Sequence, residues 1–161
     1  MEVQRGIAFS GDVGVAGRVL PLPPATVRRV VRTVLEGERR DALVSVSFVG
    51  LLGMRRLNAR HKQLDVPTDV LSFSLRLPDR RLQGDVYVCR AVARRHARRH
   101  GVSEREELIR LLVHGVLHVL GYDHPETARR ERSAMWQRQE RYVRLLLKGG
   151  SGTRSYNHGG A

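Results

Sequence analysis

The stretch LLVHGVLHVLGYDH, residues 111–124, places three of the seven histidines of the chain within eleven residues. Leucine and valine surround the first two histidines on nearly every side, which is typical of a helix buried all round. Ser103 predicts the start of this helix as an N-cap, and Glu106 completes a capping box three residues later. Gly121 predicts its end. We therefore predict a buried helix at about 104–120 in the C-terminal half of the chain.

The spacing of the three histidines predicts a metal site. His114 and His118 are four residues apart and lie on one face of the helix. Gly121 allows the chain to reverse and to bring His124 back toward them. Catalytic zinc sites use three protein ligands at ~2.0–2.1 Å and leave a fourth position for water or substrate. A single buried histidine is more often an ordinary core residue, but three in this register favour a metal centre.

The frame H-x3-H-x2-G-x2-H matches the zinc-binding frame of metzincin proteases except at one position. Those proteases carry a glutamate next to the first histidine as general base, and here that residue is Gly115. A zincin-type metallopeptidase is therefore one alternative, and Gly115 argues against it. A non-catalytic protein in which zinc is structural is a second alternative. Structural zinc sites usually have four ligands, and no convincing fourth ligand is found in the sequence.

The rest of the chain predicts strands and helices in alternation, and hence an α/β (α+β) class with a small mixed sheet packed with helices. Glycines at 14 and 17 predict turns, and Gly37 is expected to stop the first helix. We expect one domain over 1–148 and a disordered tail over 149–161. The predicted helices are about 24–36, 51–58, 90–100, 104–120 and 126–147, and the predicted strands are 42–49, 70–77 and 84–89.

The net charge and the apolar content of the chain indicate which class of molecule it binds. The 161 residues carry 29 Lys+Arg against 16 Asp+Glu, a formal net charge of +13, which favours a polyanion such as nucleic acid. Of the basic residues 27 are arginine, a bias that genome base composition can explain. The single cysteine excludes an internal disulfide, and no apolar run approaches the ~20 residues that span a membrane. We expect a cytoplasmic protein with no membrane partner.

The sequence HGVLHVLGYDH, together with PTDVLSF (67–73), GDVYV (84–88) and the dipeptide LN (57–58), resembles the YbeY family of bacterial endoribonucleases. The resemblance runs from about residue 25 to 145. It implies a zincin-like domain with one Zn²⁺ held by His114, His118 and His124. It further implies cleavage of single-stranded RNA in ribosomal RNA maturation, notably at the small-subunit 3′ end, and in ribosome quality control. The partners that it implies are ribosomal RNA and the ribosome or small-subunit assembly proteins.

The resemblance also implies a basic catalytic residue, with one departure. Many members have an arginine five residues after the leucine of the LN dipeptide, and here that position is Lys62. A lysine keeps the charge but loses the planar fork that grips a phosphate, and Arg60 is the alternative source of a guanidinium. We hypothesise that zinc-activated water attacks the phosphodiester, or that zinc polarises the phosphate while the 2′-OH attacks, with Lys62 or Arg60 stabilising the developing charge.

Further substrate contacts are predicted on a strand and on an arginine-rich helix. Ser72 lies on the polar face of the strand at 70–77, where solvation is an equal alternative to RNA binding. Arg94 and Arg98 lie on the helix at 90–100, whose basic face has no acidic residue at i, i+4 spacing. Asp69 and Asp85 are the carboxylates expected to lie nearest the site, although both are as well suited to ordering turns.

Overall fold

The computed structural model describes residues 13–124 and 133–149. The first part of the predicted last helix, 126–132, and residues 150–161 of the predicted tail lie outside the described residues. Along the chain the elements are β1 (Val13–Gly17), α1 (Pro24–Glu38), β2 (Ala42–Val49), α2 (Leu51–Lys62), β3 (Val70–Arg76), β4 (Leu82–Cys89), α3 (Arg90–His100), α4 (Glu104–Val119) and α5 (Ala134–Lys148).

The four strands form one mixed sheet in the order β1-β2-β4-β3. β1 and β4 both pair with β2 in parallel, and β3 pairs with β4 in antiparallel fashion, Ser72 lying opposite Val86. Helix α1 makes the crossover between β1 and β2, as parallel neighbours require. The predicted mixed α/β class is confirmed, and β3 forms one edge of the sheet.

Two expectations about glycines are wrong. Gly14 and Gly17 do not mark turns but lie in β1, where they pair with Ser45 and Phe48 of β2. Gly37 does not stop α1, which ends one residue later at Glu38 and is followed by Arg39 in the left-handed conformation. A Cβ on Gly37 would lie 2.3 Å from the Tyr142 hydroxyl, so this glycine makes room for α5.

The two faces of the sheet carry cores of unequal size. The main core lies between one face and helices α1, α4 and α5, and includes the fully buried Val31, Val46, Val86 and Leu112. On the other face, α2 and the start of α3 cover a smaller cluster of Met54, Leu71, Cys89 and Val92.

Helix α4 approaches the sheet closely because glycine stands at two contact points. A Cβ on Gly84 of β4 would lie 2.3 Å from Cγ1 of Val119, and a Cβ on Gly115 of α4 would lie 2.6 Å from Cγ1 of Val86. The last three turns of α4, which carry His114 and His118, are thereby seated against β3 and β4 at the sheet edge.

Among the residues that the structure describes, no helix has the length and apolar character needed to cross a membrane.

Candidate metal centre and cleft

Helix α4 begins and ends as its sequence predicts. The Ser103 hydroxyl accepts a hydrogen bond from the backbone N–H of Glu106 at 3.0 Å, and the helix starts at Glu104. At the other end Gly121 adopts φ +97°, a left-handed backbone that side chains rarely tolerate. The N–H groups of Gly121 and Tyr122 then bond the carbonyls of His118 and Leu117. This tight reversal returns the chain toward the preceding histidines.

The three imidazoles converge at the end of this turn. The ring centroids of His114, His118 and His124 lie 4.6, 5.0 and 5.1 Å apart in pairs. One ligand nitrogen from each ring lies within 4.8 Å of the other two, and Nε2 of His114 is 3.4 Å from Nε2 of His124. Two nitrogens bound to one tetrahedral zinc at ~2.05 Å are about 3.3 Å apart. The donor set therefore fits one imidazole-preferring divalent metal ion, such as zinc.

The surroundings of His118 favour the neutral, metal-binding form of its ring. Burial lowers the pKa of His118 below its ordinary value, and the positive charges of His124 and Lys62 lower it further. A hydrogen bond with the Tyr122 backbone and the carboxylate of Asp123 oppose this decrease without reversing it. Because imidazole must be deprotonated to ligate a metal, the low pKa extends metal binding toward acidic pH.

Gly115 occupies the position of the metzincin general base, and its surroundings leave no room for a side chain. The nearest atoms to an added Cβ would be Cγ1 of Val86 at 2.6 Å and Oγ of Ser72 at 3.1 Å. Val86 is fully buried and cannot move aside as the end of a flexible side chain would. The absence of a glutamate here is therefore built into the packing of α4 against the sheet.

The histidines lie in a cleft of about 1160 Å³ whose walls come from every helix except α1. The end of α2, the following loop and the start of β3 form one part of the lining, and the end of α3 and α5 form another. Residues that contribute to these walls include Asn58, Lys62, Leu64, Asp69, His96, Arg99, His100, Trp136 and Gln139. The lining also includes Glu107, Arg110, Asp123 and Glu140, so basic and acidic side chains stand together around the histidines.

The structure brings one of the predicted substrate residues into the cleft. Lys62, the last residue of α2, lines it, and its charge acts on His118. Arg60 and Arg98 are solvent-exposed and are not among the lining residues that the structure describes. Arg94 forms an ion pair with Glu104 at 3.2 Å, and Ser72 faces Gly115 of α4. An acidic partner for the arginine face of α3 therefore exists, supplied by the neighbouring helix rather than at i, i+4.

The structure places one of the two carboxylates expected near the site in the cleft and turns the other away from α4. Asp69 lines the cleft, where it accepts hydrogen bonds from the Val70 N–H at 2.7 Å and pairs with Nδ1 of His96 at 3.2 Å. Asp85 alternates with Gly84 and Val86, which face α4, and it therefore lies on the opposite face. There its carboxylate accepts a hydrogen bond from Ser45 at 2.9 Å. The expectation that Asp85 faces the site is wrong because strand side chains alternate.

A buried carboxylate anchors the turn that carries His124. Glu38, at the end of α1, accepts hydrogen bonds from the hydroxyls of Tyr122 at 2.6 Å and Tyr142 at 2.7 Å and from Arg138 at 3.1 Å. Burial raises the pKa of Glu38, but these hydrogen bonds outweigh it and the net pKa lies below the ordinary value. The ionised carboxylate therefore ties α1, α5 and the turn together.

Several cleft residues have no signal in the sequence that assigns them to the site. Gln139 and Trp136 lie one turn apart on α5, where helical periodicity indicates only which residues face inward. Asn58 is buried because its side-chain amide donates to the Val66 carbonyl at 2.8 Å and holds the loop after α2. His96, Arg99 and His100 lie on α3, which ends four residues before α4 begins, and the packing of α3 on α4 places them on the cleft wall.

Fold and site together define the class of this protein: a mixed α/β protein with three histidines that could hold a metal ion, inside a cleft lined by charged side chains of both signs. Comparison with known proteins then gives the particular family. The family model described as Endoribonuclease YbeY matches residues 22–146, and the chain belongs to this family.

Individual relatives agree with the family model. The chain is 36% identical over 130 residues to "Endoribonuclease YbeY" of Chlorobium luteolum, covering 79% of this chain and 91% of that protein. It is 41% identical over 131 residues to the protein of the same name from Alkalilimnicola ehrlichii, covering 77% and 74%. The solution structure of TM1509 from Thermotoga maritima matches with a TM-score of 0.61 at 25% identity, over 92% of this chain and 99% of that one.

Proposed function

We propose that this chain is a zinc-dependent endoribonuclease, a hydrolase that cleaves single-stranded RNA in ribosomal RNA maturation, at the small-subunit 3′ end, and in ribosome quality control. The observation that carries the proposal is the convergence of three imidazoles inside a cleft whose walls bear Lys62 and Arg99. The names of the relatives, all endoribonucleases of one family, support the reaction class. The ribosome or its small-subunit assembly proteins in the cytoplasm are the proposed partners.

His114, His118 and His124 are the proposed zinc ligands. When bound, zinc supplies Lewis acidity and the activation of water, the chemistry that phosphodiester hydrolysis needs. Three neutral imidazoles cancel none of the charge of the ion, whereas a carboxylate ligand would cancel part of it. An anionic phosphodiester is therefore a better electrostatic match to this centre than a neutral amide.

Lys62 is the proposed residue that stabilises negative charge on the phosphoryl oxygens. It lines the cleft, and it lies near enough to His118 for its charge to act on that ring. As a compact point charge on a flexible stem, it offers attraction without the bidentate geometry of arginine. Arg99 also lines the cleft, and we assign to it a contact with a neighbouring phosphate of the RNA.

The remaining basic residues are proposed to act outside the cleft. Arg60 and Arg98 are exposed and suited to long-range attraction of the RNA backbone, and Arg94 shares this role although Glu104 offsets part of its charge. Ser72 instead faces α4: its hydroxyl oxygen would lie 3.1 Å from a Cβ added to Gly115. For Ser72 we propose that the backbone of the edge strand β3, rather than the side chain, meets an extended substrate.

Neither alternative gains support from the site. A peptidase needs a proton donor for the leaving nitrogen, and the packing at Gly115 excludes the glutamate that serves metzincins. A closed structural zinc site needs a fourth ligand, and the histidine group found in residues 13–124 and 133–149 has three members.

The proposal is tested by a cleavage assay on single-stranded RNA with metal-stripped protein, with the same protein after zinc is restored, and with His118→Ala. Of these three samples, we expect only the zinc-restored protein to cleave the RNA. His61→Ala is the matched control, because His61 is exposed and stacks on Phe73 at 4.6 Å outside the cleft. Full cleavage by the stripped protein or by His118→Ala would refute the proposal. A 2′,3′-cyclic phosphate product would assign the attack to the 2′-OH, and a product without it to water.

A further inference from the structure

The ring of His114 is held by a side chain from another helix. Gln139 of α5 is 1% exposed, and its Oε1 lies 2.7 Å from Nδ1 of His114. An amide oxygen is an acceptor, so Nδ1 must carry the hydrogen and donate it. The lone pair of this imidazole is then on Nε2, the atom that lies 3.4 Å from Nε2 of His124.

The orientation of the Gln139 amide is itself determined by its next neighbour. Its Nε2 donates a hydrogen bond to Oε1 of Glu140 at 3.2 Å. If the amide were turned over, its oxygen would face a carboxylate oxygen and its NH₂ group would face His114. The first contact would be repulsive, which leaves one orientation, with the oxygen toward the histidine.

Glu140 is held in turn by Arg110 of α4. Nε of Arg110 donates to Oε1 of Glu140 at 2.8 Å, and the same guanidinium bonds Glu106 at 2.9 Å and Glu107 at 3.3 Å. Burial raises the pKa of Glu140, but the hydrogen bonds from Arg110 and Gln139 outweigh it and the net pKa is lowered. The carboxylate therefore stays ionised and keeps the amide in place.

We propose that Gln139 is a positioning residue for the metal centre: it fixes His114 as the Nδ1–H tautomer with Nε2 toward the metal, and the Glu140–Arg110 pair holds the Gln139 amide. This inference rests on the proposed metal-dependent function, since it concerns a ligand of the same site. Ligating histidines commonly donate their second N–H to a carboxylate, a carbonyl or water. Here the acceptor is a neutral amide, so the ring is oriented without a negative charge in contact with it.

The first test uses the unaltered, metal-free protein. Nitrogen-15 spectra of the imidazole rings report which nitrogen carries the hydrogen in a neutral histidine. We expect the Nδ1–H tautomer for His114, in contrast to the Nε2–H form that free histidine prefers. Observation of Nε2–H at His114 would overturn the proposal, and this result requires no variant to fold.

The second test measures affinity for Co²⁺, titrated against a chelator, and the visible absorption of the bound ion. Gln139→Met keeps the length of the side chain and removes the acceptor, and we expect a 10–100-fold weaker affinity with an altered absorption spectrum. Gln139→Glu combined with Glu140→Gln restores an oxygen acceptor toward His114 without placing two carboxylates in contact, and this double variant is expected to bind Co²⁺ more tightly than Gln139→Met. Gln137→Met is the matched control, because Gln137 lies on the same helix and is exposed.

The outcomes separate this inference from the proposed function. Unchanged Co²⁺ affinity and spectrum in Gln139→Met, with RNA cleavage by the unaltered protein, would refute the positioning role alone. Weaker affinity in Gln139→Met and its recovery in the double variant of Gln139→Glu and Glu140→Gln would support the role even if the unaltered protein failed to cleave RNA, which would refute the proposed function alone.

Discussion

Two helices of this protein carry a pair of histidines at i, i+4 spacing, and the two pairs have different surroundings. On α4, the rings of His114 and His118 are 4.6 Å apart and share their space with His124. On α3, the rings of His96 and His100 are 6.4 Å apart. Nδ1 of His100 lies 3.0 Å from the His96 carbonyl, and Nδ1 of His96 pairs with Asp69 at 3.2 Å.

The difference shows that spacing on a helix does not by itself create a metal site. The α4 pair is on a buried helix, is followed by a turn that supplies a third ring, and has a partner on α5 that orients His114. The α3 pair is partly exposed, and each of its Nδ1 atoms is engaged by a backbone or carboxylate oxygen. Burial, a third ligand and an orienting acceptor together distinguish the two helices.

The largest expected effect is a loss of metal affinity when a histidine of the α4 pair is removed, and removal of a histidine of the α3 pair is the comparison. His114→Ala should weaken zinc or Co²⁺ affinity by more than about 100-fold, because loss of a ligand costs more than the 10–100-fold typical of an outer partner. His96→Ala should leave metal affinity within a few-fold of the unaltered protein. Titration against a chelator measures both, and equal losses in the two variants would erase the distinction between the helices.

The second prediction concerns the seating of α4 against the sheet. Gly115→Ala should lower the free energy of unfolding by about 3 kcal/mol, since the added Cβ meets the immobile Val86 and overpacking of this kind costs about 1–3 kcal/mol. Gly53→Ala is the control: its Cβ would meet Val49 at an ordinary 3.6 Å, and alanine favours the helix by up to about 1 kcal/mol. Urea unfolding of the metal-free proteins gives the comparison, and a neutral Gly115→Ala would show that α4 can shift outward.

The third prediction addresses the turn that gives the α4 pair its third ring. The folded pKa of Glu38 is below the ordinary 4.5, so its ionised form stabilises the fold above that pH and the contribution is lost as pH falls through the folded pKa. Glu38→Gln should cost about 1–2 kcal/mol at pH 7, and the variant should lose less stability than the unaltered protein as the pH falls below 4.5. The exposed Glu36→Gln is the control, and parallel pH profiles for Glu38→Gln and the unaltered protein would contradict the anchoring role.

The smallest expected effect concerns the basic residues beside the α3 pair. Arg99 lines the cleft and Arg98 does not, although they are neighbours on the same helix. Arg99→Ala should weaken binding of single-stranded RNA a few-fold and reduce the salt slope of the affinity by about 0.7, the value for one phosphate contact to a single strand. Arg98→Ala should change the RNA affinity and its salt slope less than Arg99→Ala does. A larger effect from Arg98→Ala than from Arg99→Ala would place the RNA path outside the cleft.

Much of α4 and its turn was predictable because local rules govern them. A capping serine, apolar residues on all faces and a glycine at the C-terminus specify a buried helix, and the spacing of the three histidines specifies their convergence. The strands at β2 and β3 follow from alternation and turn residues. β1 was missed because two of its five residues are glycine, and its strand conformation depends on pairing with β2, a partner 31 residues away at Val13↔Val44.

The walls of the cleft were predicted less well, since helix periodicity identifies a buried face but not the residues that it meets. Lys62 was assigned to the site through its place in a motif, whereas Arg99, His96 and Gln139 come from other elements that meet at the cleft through tertiary packing. The same residue type stands on the same helix at Arg94, Arg98 and Arg99. The rotation of α3 against α4 decides that Arg99 lines the cleft and that the other two do not. Strand alternation turns Asp85 away from α4, whereas Asp69, which precedes β3, lines the cleft.

The residues of 111–124 by themselves determine a buried helix, a glycine reversal and three imidazoles on one side, because each of these depends on neighbours within one or two turns of chain. The tertiary structure alone decides that Gly115 has no room for a side chain, that Gln139 orients His114, and that the histidines on α3 become a wall rather than a second centre. These outcomes depend on contacts between residues distant in sequence, and such contacts exist only once the helices have packed on the sheet.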